Sequence, residues 1–372
     1  MKIRVLHVLE TMKSGGVENR RLSLAKMLDK SEFEQKIVCT QAIGQLPVKI
    51  NEAGVEVIQV GLFKSILQFN VYKKLLRVIR QFKPHIIHGA VFEGVTMAAV
   101  TGTLARVPII IVEETSDPQN RSKLASLLLR QLARPAKAVV AVSPAVESYL
   151  LQVAKIPARK VRLINNGIFF PPLPQKEEVE KVKLALGIGE SDFVIGSVGR
   201  LRDFHKRFSD LIKALPLLKA AGVLNVKLLI VGEGNDRGKL ADLAGQLGVA
   251  NQVVFAGFAD QTALYYAMMH VFAIASFMEA FGLVAAEAMY FKLPVVATAV
   301  GGLKHIVVHG QTGLLVNKEA PHEIADAIST LYYDADKRSA FGQAGFERVL
   351  SEYSAEAYVK NVTALYKSFN LA

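Results

Sequence analysis

Cysteine and tryptophan are nearly absent from this chain. Its 372 residues include no tryptophan and a single cysteine, Cys39. An intramolecular disulfide and a zinc site built from several cysteines are therefore excluded. Cys39 follows Ile37 and Val38 in an apolar run, which predicts a buried strand position and a core role. This cysteine usage is compatible with a reducing compartment, and we expect a cytoplasmic protein.

Long hydrophobic runs are also missing. The longest stretch without Asp, Glu, Lys or Arg is 261–278, and it contains Gln261, His270 and Ser276. Such a stretch is more typical of a buried helix running into a strand than of a membrane span. Residues 1–10 are too short and too charged for a signal peptide and predict a first core strand. We therefore expect no transmembrane segment.

Acidic residues are scarce in the first half of the chain only. Residues 1–172 hold 25 Lys and Arg against 12 Asp and Glu, whereas residues 173–372 hold 20 against 21. A basic surplus indicates an anionic partner, either a nucleic acid, a membrane surface or a phosphorylated substrate. The sequence lacks the aromatic interleaving and the docking motifs typical of nucleic-acid binding, so we expect no nucleic acid as partner.

Part of the surplus lies in two basic clusters with helical spacing. They are Lys73, Lys74, Arg77, Arg80 and Lys83, and Arg121, Lys123, Arg130, Arg134 and Lys137. Apolar residues are interleaved with the basic residues in both clusters. Two interpretations stay open: ordinary surface helices, or helix faces that meet the anionic headgroups of a membrane. The second would place the protein peripherally on the inner face of the cytoplasmic membrane.

Short apolar runs alternate with helical patterns along the whole chain, which predicts an α/β protein with parallel sheets. The predicted strands of the first half lie near 3–9, 36–40, 55–60, 85–88, 108–112, 138–142 and 161–164. Those of the second half lie near 193–198, 226–231, 252–256, 271–275, 294–298 and 314–316. Three prolines at positions 171, 172 and 174 separate the two series and predict a domain boundary.

A glycine pair, Gly15 and Gly16, follows the first predicted strand and opens a helix. Backbone N–H groups at such a junction can bind a phosphate or a sugar. The surrounding sequence is neither G-x-G-x-x-G nor a Walker A loop, which argues against dinucleotide binding and ATP hydrolysis. A plain tight loop explains the pair equally well.

Two cations follow the first strand of the second half. Arg200 comes directly after the strand, and Lys206 lies six positions further on, before a helix. Ligands bind at the carboxyl ends of parallel strands, so these cations are candidates for holding a diphosphate. The alternative is a solvated, charged loop.

Two glutamates eight positions apart carry the strongest pattern. Glu279 precedes a helix, and Gly282 permits close approach of a ligand, so the N–H groups of Phe281, Gly282 and Leu283 can face an anion. Glu287 lies within an apolar helix, where a carboxylate needs partners such as ribose hydroxyls.

Taken in order, these motifs resemble the retaining glycosyltransferases of family four. The segments that carry the resemblance are Gly15 to Glu18, Val198 to Leu201 with Lys206, Val231 to Gly234, Phe255 to Phe258, Glu279 with Glu287, Val300 to Gly302, and Gly313 to Val316. The resemblance implies a GT-B fold, in which two facing Rossmann-like domains enclose a cleft. It implies an acceptor-binding domain over 1–168, a nucleotide-sugar domain over 169–352, and a crossover helix over 353–372.

The resemblance also implies roles for individual residues. Arg200 and Lys206 would bind the donor diphosphate and stabilise the leaving phosphate, Glu279 would bind the transferred sugar, and Glu287 the ribose. The amides of Gly15, Gly16, Gly257, Phe281, Gly282 and Leu283 would complete the donor site. Neither metal nor cofactor is implied, since the two cations do the work of a divalent ion.

One departure concerns the end of the strand near 108–112. Many relatives carry a histidine there, whereas this chain has Glu114 in that place. Glu114 and His88 are candidates for sugar or acceptor contacts.

The function expected from the sequence is the transfer of a hexose, with retention, from a nucleoside-diphosphate sugar to a glycan or lipid-linked acceptor. The donor nucleotide is expected to be UDP. The product is expected to belong to cell-surface polysaccharide or lipopolysaccharide. A sugar-nucleotide epimerase on the same fold and a non-catalytic sugar-nucleotide-binding protein stay open as alternatives.

Overall fold

The computed structural model describes residues 2–13, 16–62, 68–115, 122–279 and 281–371. The chain divides into two compact units, one formed by residues 1–169 together with 352–372, and one formed by residues 170–351. Gly15, Arg121 and Ala280 lie outside the described residues.

The first unit contains a parallel sheet of seven strands in the order β3-β2-β1-β4-β5-β6-β7. The strands are β1 (Ile3–Met12), β2 (Phe33–Ala42), β3 (Glu56–Gln59), β4 (Ile86–Ala90), β5 (Ile109–Glu114), β6 (Ala138–Ala141) and β7 (Val161–Leu163). The central strands are buried on both faces, as their unbroken apolar runs predict. Cys39 lies in β2 with 0% exposure, and burial raises the pKa of its thiol to about 12.

Seven helices of the described residues belong to this unit. They are α1 (Gly16–Met27), α2 (Gln45–Glu52), α3 (Phe69–Phe82), α4 (Val91–Leu104), α5 (Lys123–Leu132), α6 (Pro144–Gln152) and, at the end of the chain, α16 (Ala355–Lys367). The last helix packs its buried face, including Tyr358 and Val362, against β1 and α1 residues such as Val5 and Leu24.

The second unit contains a parallel sheet of six strands in the order β10-β9-β8-β11-β12-β13. The strands are β8 (Phe193–Val198), β9 (Val226–Val231), β10 (Val253–Gly257), β11 (Val271–Ile274), β12 (Val295–Thr298) and β13 (Gly313–Val316). Its helices are α7 (Lys176–Ala185), α8 (Asp203–Lys206), α9 (Phe208–Ala220), α10 (Arg237–Gln246), α11 (Ala263–Tyr266), α12 (Leu283–Tyr290), α13 (Leu303–Ile306), α14 (Pro321–Tyr333) and α15 (Ala335–Glu352). Two parallel Rossmann-like sheets confirm the predicted fold class.

The apolar stretch 261–278 forms α11 and β11 with a short connection between them, as predicted. Across the described parts of the chain, no helix combines the length and the hydropathy needed to cross a bilayer.

The first basic cluster lies on α3, whose apolar residues Val71, Leu75 and Ile79 are buried in the core of the unit. The basic residues of α3 are exposed on its outer side. Most of the apolar face of α3 is therefore already used for folding, and the helix offers a partner its charges and Phe69, which is 76% exposed at its first position.

Candidate active site

Lys206 and Glu279 form an ion pair beyond the carboxyl ends of β8 and β11. Nζ of Lys206 lies 2.5 Å from Oε2 of Glu279, and the side chains are 25% and 15% exposed. Ser276 Oγ donates a longer hydrogen bond, 3.4 Å, to the same carboxylate oxygen. Two residues separated by 73 positions thus place a cation and a carboxylate side by side at the edge where ligands of parallel sheets bind.

Backbone contacts hold Glu279 in this position. The N–H of Gly302 donates to the carbonyl of Glu279 over 2.9 Å, and the N–H of Phe277 donates to the carbonyl of His205 over 2.8 Å. A Cβ on Gly301 would lie 1.8 Å from the carbonyl oxygen of Glu279. The loop after β12 and the helix α8 therefore fix the loop that carries Glu279, and glycine is required where the two loops touch.

Arg200 lies beside a recess at the carboxyl ends of β8, β9 and β10. The recess has a volume of about 260 Å³ and is lined by Gly199, Arg200, Gly232, Glu233, Phe258 and Thr262. Arg200 is exposed, and no carboxylate of the described residues pairs with it. Phe258 is 72% exposed at the rim. An exposed cation and an exposed aromatic ring thus border one concave surface.

Gly199 connects this recess to the ion pair. A Cβ built on Gly199 would lie 3.8 Å from Cε of Lys206, so the lysine stem runs past the backbone of the strand end. On the other side of the recess, the carbonyl of Gly257 accepts a hydrogen bond from the N–H of Gly232 over 2.8 Å, and Gly257 has a φ of 76°. The structure therefore brings Arg200, Lys206, Glu279 and Gly257 to the same edge of one sheet.

Helix α12 begins directly after the Glu279 loop. Gly282 precedes the helix with a φ of 97°, a left-handed conformation that favours glycine. Phe281 is buried, and Leu283 is 37% exposed. The first turn of α12 thus starts at the edge that carries the Lys206–Glu279 pair, and helix N-termini favour anions.

Glu287 lies in the second turn of α12 and accepts a hydrogen bond from the hydroxyl of Tyr266 over 2.9 Å. Burial raises the pKa of Glu287, and the hydrogen bond from Tyr266 opposes part of this shift. Burial also raises the pKa of the Tyr266 hydroxyl well above its ordinary range, with Glu287 adding to the effect. Tyr266 was missed by the sequence reasoning, for which its only signal was a polar group within the apolar stretch 261–278.

The first unit holds the remaining predicted residues. Gly16 is the first residue of α1, and Glu114 is the last residue of β5, 3% exposed. His88 lies within β4 and is 1% exposed, whereas the strand predicted near 85–88 ended at this residue. Its Nδ1 is 2.8 Å from the hydroxyl of Tyr366, so a substrate could reach the ring only by displacing core residues.

A buried charge cluster next to His88 was not predicted. Glu113 in β5 binds Arg20 at 2.6 Å and Arg21 at 2.7 Å through its two oxygens, and all three side chains are at most 3% exposed. Although burial alone would raise it, Arg21 and Arg20 hold the pKa of Glu113 well below its ordinary value. Arg21 also donates to the hydroxyl of Tyr358 in α16 over 2.9 Å. The cluster ties α1, β5 and the last helix together.

The family profile of glycosyl transferases group 1 matches residues 178–348, and the profile of the glycosyl transferase 4-like domain matches residues 15–167. Together they span most of both units. The chain belongs to the group 1 glycosyltransferases.

Individual relatives and solved structures agree with this. An uncharacterised glycosyltransferase of Methanocaldococcus jannaschii is 34% identical over 62% of this chain and 59% of its own length. The capsular polysaccharide biosynthesis glycosyltransferase CapM of Staphylococcus aureus is 26% identical over 82% of this chain and 83% of its own. The chain spans only 46% to 59% of the length of three of the most similar curated relatives.

The fold matches the crystal structure of HepE from Anabaena in complex with UDP, with a TM-score of 0.84, 24% identity, and coverage of 99% of this chain and 100% of that chain. This group 1 glycosyltransferase therefore has the GT-B fold, as the motifs predicted.

One departure from the family pattern has a structural explanation. Where many group 1 glycosyltransferases have Lys-Gly, this chain has Lys206 and Arg207, and Arg207 occupies the left-handed region with a φ of 53°. Its guanidinium pairs with Asp210 at 2.9 Å and with Glu319 at 3.3 Å. The turn that glycine would favour is therefore retained, and the extra charge is paired with Asp210 and Glu319.

Proposed function

We propose that this chain is a retaining glycosyltransferase that moves a hexose from a UDP-sugar to a glycan or lipid-linked acceptor. The reaction serves the synthesis of cell-surface polysaccharide or lipopolysaccharide. The observation that carries the proposal is the Lys206–Glu279 pair at the carboxyl edge of the second sheet. The UDP complex of HepE supports the choice of nucleotide, and the similarity to CapM, a capsular polysaccharide biosynthesis glycosyltransferase, supports the choice of product.

Within the proposed site, Arg200 and Lys206 bind the two phosphates of the donor. Arg200 follows β8 and Lys206 ends the short helix α8 after it, so both cations lie beyond the carboxyl end of a parallel strand, where charge-assisted hydrogen bonds to phosphate oxygens form readily. The amides of Phe281, Gly282 and Leu283 add N–H donors at the start of α12. Since these groups supply the positive charge, the proposal assigns no step to a divalent ion.

The two glutamates bind the polyol parts of the donor. Glu279 accepts hydrogen bonds from hydroxyls of the transferred sugar, and Lys206 then shifts from the carboxylate toward the phosphate. Glu287, whose carboxylate Tyr266 already contacts, accepts hydrogen bonds from the ribose. The recess beside Arg200 and Phe258 takes the base, whose flat ring can stack on the exposed Phe258 side chain.

Transfer with retention then proceeds on one face of the sugar. The acceptor hydroxyl oxygen forms a bond to the anomeric carbon as the bond from that carbon to the donor phosphate oxygen breaks. The acceptor proton passes to an oxygen of the leaving phosphate, and Arg200 with Lys206 stabilises the charge that develops there. Neither Glu279 nor Glu287 acts as a covalent nucleophile in this scheme.

A thermal-shift screen with UDP-, GDP- and ADP-sugars tests the donor class, because a ligand that binds the native state raises the melting temperature. We expect the largest shift with a UDP-sugar. Incubation with the labelled donor is then expected to release UDP and to yield a transferred or hydrolysed sugar. An isomerised nucleotide sugar would instead indicate an epimerase, and binding without turnover would indicate a non-catalytic protein.

Lys206→Ala tests the site itself. Loss of a charge-assisted phosphate contact of about 1.5–3 kcal/mol is expected to weaken UDP binding about 10- to 100-fold in calorimetry. Lys219→Ala is the matched control, since this lysine is exposed on α9 of the same unit. Equal UDP affinity in both variants would remove Lys206 from the donor site.

A further inference from the structure

Four chain segments of the first unit lead into β4, β5, β6 and β7 and therefore lie together at the amino-terminal edge of the parallel sheet. We call them the basic edge: residues 80–85, 104–108, 130–137 and 155–160. They contain nine Lys and Arg and no Asp or Glu. The rest of this sheet edge is mixed, since Glu32, Glu34 and Glu56 lie near the starts of β2 and β3.

The charges of the basic edge are available to a partner. Eight of the nine side chains are exposed, and none of the nine forms an ion pair with a carboxylate in the described parts of the chain. The remaining one, Lys160, is partly buried, and its ammonium donates to the carbonyls of Ala133 and Arg134. Burial lowers the pKa of Lys160, and the nearby charges of Arg159 and Lys137 lower it further. Positive charges at this edge thus repel one another without compensation.

Two recesses on the basic edge have no carboxylate in their lining, whereas a third, beside Lys83, also has Glu34 and Glu56. The larger has a volume of about 700 Å³, with Arg80, Lys83, His85 and Arg106 around an apolar wall that includes Leu104 and Val107. The smaller, of about 210 Å³, is lined by Arg130, Arg134, Lys155, Arg159 and Lys160. Each recess combines several cations with enough volume to admit a phosphate group.

Three of the cations stand in backbone positions that suit glycine better. Lys83, Arg106 and Lys155 have φ values of 49°, 53° and 55°, in the left-handed region that disfavours L-residues. The helix dipole stabilises a cation just after the carboxyl end of a helix, which accounts in part for basic residues at these three positions. The helix dipole does not account for Arg159 and Lys137, which precede strands.

We propose that the basic edge binds the surface of an anionic phospholipid bilayer, with lipid phosphates entering the two recesses. Exposed apolar side chains accompany the charges, namely Leu104 at 67% and Val153, next to the edge, at 60% exposure. This combination suits headgroups with adjoining hydrocarbon. A nucleic acid would favour exposed aromatic rings, whereas Phe82, the one phenylalanine in these segments, is 8% exposed.

This surface differs from the helix faces predicted from the sequence. The sequence left open a membrane contact on the outer sides of α3 and α5, whereas the basic edge uses the ends of these helices and the loops that follow. It is also the opposite edge of the sheet from the carboxyl end of β5, where Glu114 lies. The proposal goes beyond the transfer reaction and does not depend on it.

Sedimentation with vesicles tests the proposal. The wild-type chain is expected to bind vesicles of phosphatidylcholine with 30% phosphatidylglycerol in about 0.1 M NaCl, and to bind pure phosphatidylcholine vesicles far less. The test variant is Lys83→Gly/Arg106→Gly/Lys155→Gly. Glycine fits the left-handed backbone at each of these positions, so the variant is expected to fold. Each basic residue near an anionic surface contributes about a fivefold factor, so this variant is expected to lose about 100-fold in its partition coefficient.

The matched control is Lys176→Gln/Lys181→Gln/Lys219→Gln, which removes three exposed lysines from helices of the second unit. It has the same net charge as the glycine variant and is expected to bind vesicles within about twofold of wild type. If the glycine variant melts early, Arg80→Gln/Arg130→Gln/Arg134→Gln removes two charges from the last turns of α3 and α5 and one from the loop after α5, and is expected to show the same loss. Leu104→Ser is expected to weaken vesicle binding at both low and high salt.

Three results would overturn the proposal: no binding of the wild-type chain to the anionic vesicles, an equal loss in the control variant, or binding to single-stranded RNA with no binding to vesicles. None of these measurements uses a sugar donor. Failure of the membrane proposal and failure of the proposed transfer reaction are therefore distinguishable, and UDP binding is expected to be unchanged in all edge variants.

Discussion

Arg21 and Glu113 form an ion pair that is completely enclosed by the first unit, with 2.7 Å between Nη2 and Oε2 and exposures of 0% and 1%. Arg20 occupies the other oxygen of the same carboxylate. One carboxylate is thus the shared counter-ion of two arginines, and these three side chains keep a net positive charge. Removal of Glu113 would leave two buried cations without a counter-ion, which is far more costly than the loss of an exposed pair.

Glu113→Gln is expected to destabilise the protein by about 3–5 kcal/mol. Glu56→Gln serves as control, since Glu56 pairs with Lys36 at the same 2.7 Å but both side chains are partly exposed. For the control we expect a loss below about 1 kcal/mol. Urea unfolding followed by circular dichroism measures both, as the chain has no tryptophan for fluorescence. Similar losses in the two variants would contradict the assigned role of the buried cluster.

The same carboxylate predicts a pH dependence. The pKa of Glu113 is held well below its ordinary value of 4.5 in the folded state, so the folded state binds this proton less tightly than the unfolded state. The stabilisation is therefore complete above about pH 4.5 and decreases as the pH falls through the folded pKa. The difference in unfolding free energy between wild type and Glu113→Gln is expected to shrink between pH 5 and pH 3. A constant difference over this range would be inconsistent with the shifted pKa.

Much of the fold could be predicted because parallel strands buried on both faces are unbroken apolar runs, and glycines with charges mark their carboxyl ends. The ion-pair cluster around Glu113 could not be predicted from the sequence. Glu113 and Glu114 are neighbours in the sequence, and no local signal says which one meets Arg20 and Arg21, more than 90 positions away. The Tyr358 partner of Arg21 is 337 positions away. Buried polar networks depend on such long-range contacts, whereas strands depend on local composition.

Removal of divalent metal tests how the donor phosphates are neutralised. In the proposed site Arg200 and Lys206 supply the positive charge that stabilises the leaving phosphate. Release of UDP from the sugar donor is therefore expected to continue at an unchanged rate in excess EDTA. A loss of turnover that added Mg²⁺ or Mn²⁺ restores would show that these two cations are insufficient.

Gly301 is expected to be essential for the Glu279 loop. Gly301 and Gly310 both have positive φ values, 46° and 74°, but a Cβ would lie 1.8 Å from the carbonyl oxygen of Glu279 at position 301 and would meet nothing within 4 Å at position 310. Gly310→Ala is thus expected to cost only about 1–2 kcal/mol of stability from backbone strain. Gly301→Ala must also displace Glu279, so donor turnover is expected to fall at least about tenfold. Equal donor turnover in the two variants would separate the loop from the reaction.

Glu287 is expected to strengthen donor binding and to lower the unfolding free energy of the protein without donor. Burial raises the pKa of this carboxyl, which means that the folded state prefers its neutral form and that stability decreases as the pH rises through the ordinary pKa toward the folded one. Glu287→Gln removes the buried charge, while its side-chain oxygen can still accept the hydrogen bond from Tyr266. The variant is therefore expected to gain about 1 kcal/mol in unfolding free energy near pH 7.

Without the carboxylate, hydrogen bonds from the ribose lose their charge assistance, and UDP affinity is expected to fall about tenfold or more in calorimetry. Tyr266→Phe is the control, since it removes the partner but keeps the carboxylate, and it is expected to raise the pKa of Glu287 further while retaining more of the UDP affinity. A Glu287→Gln variant that is less stable than wild type and binds UDP normally would mean that the carboxylate serves folding and leaves the ribose to other groups.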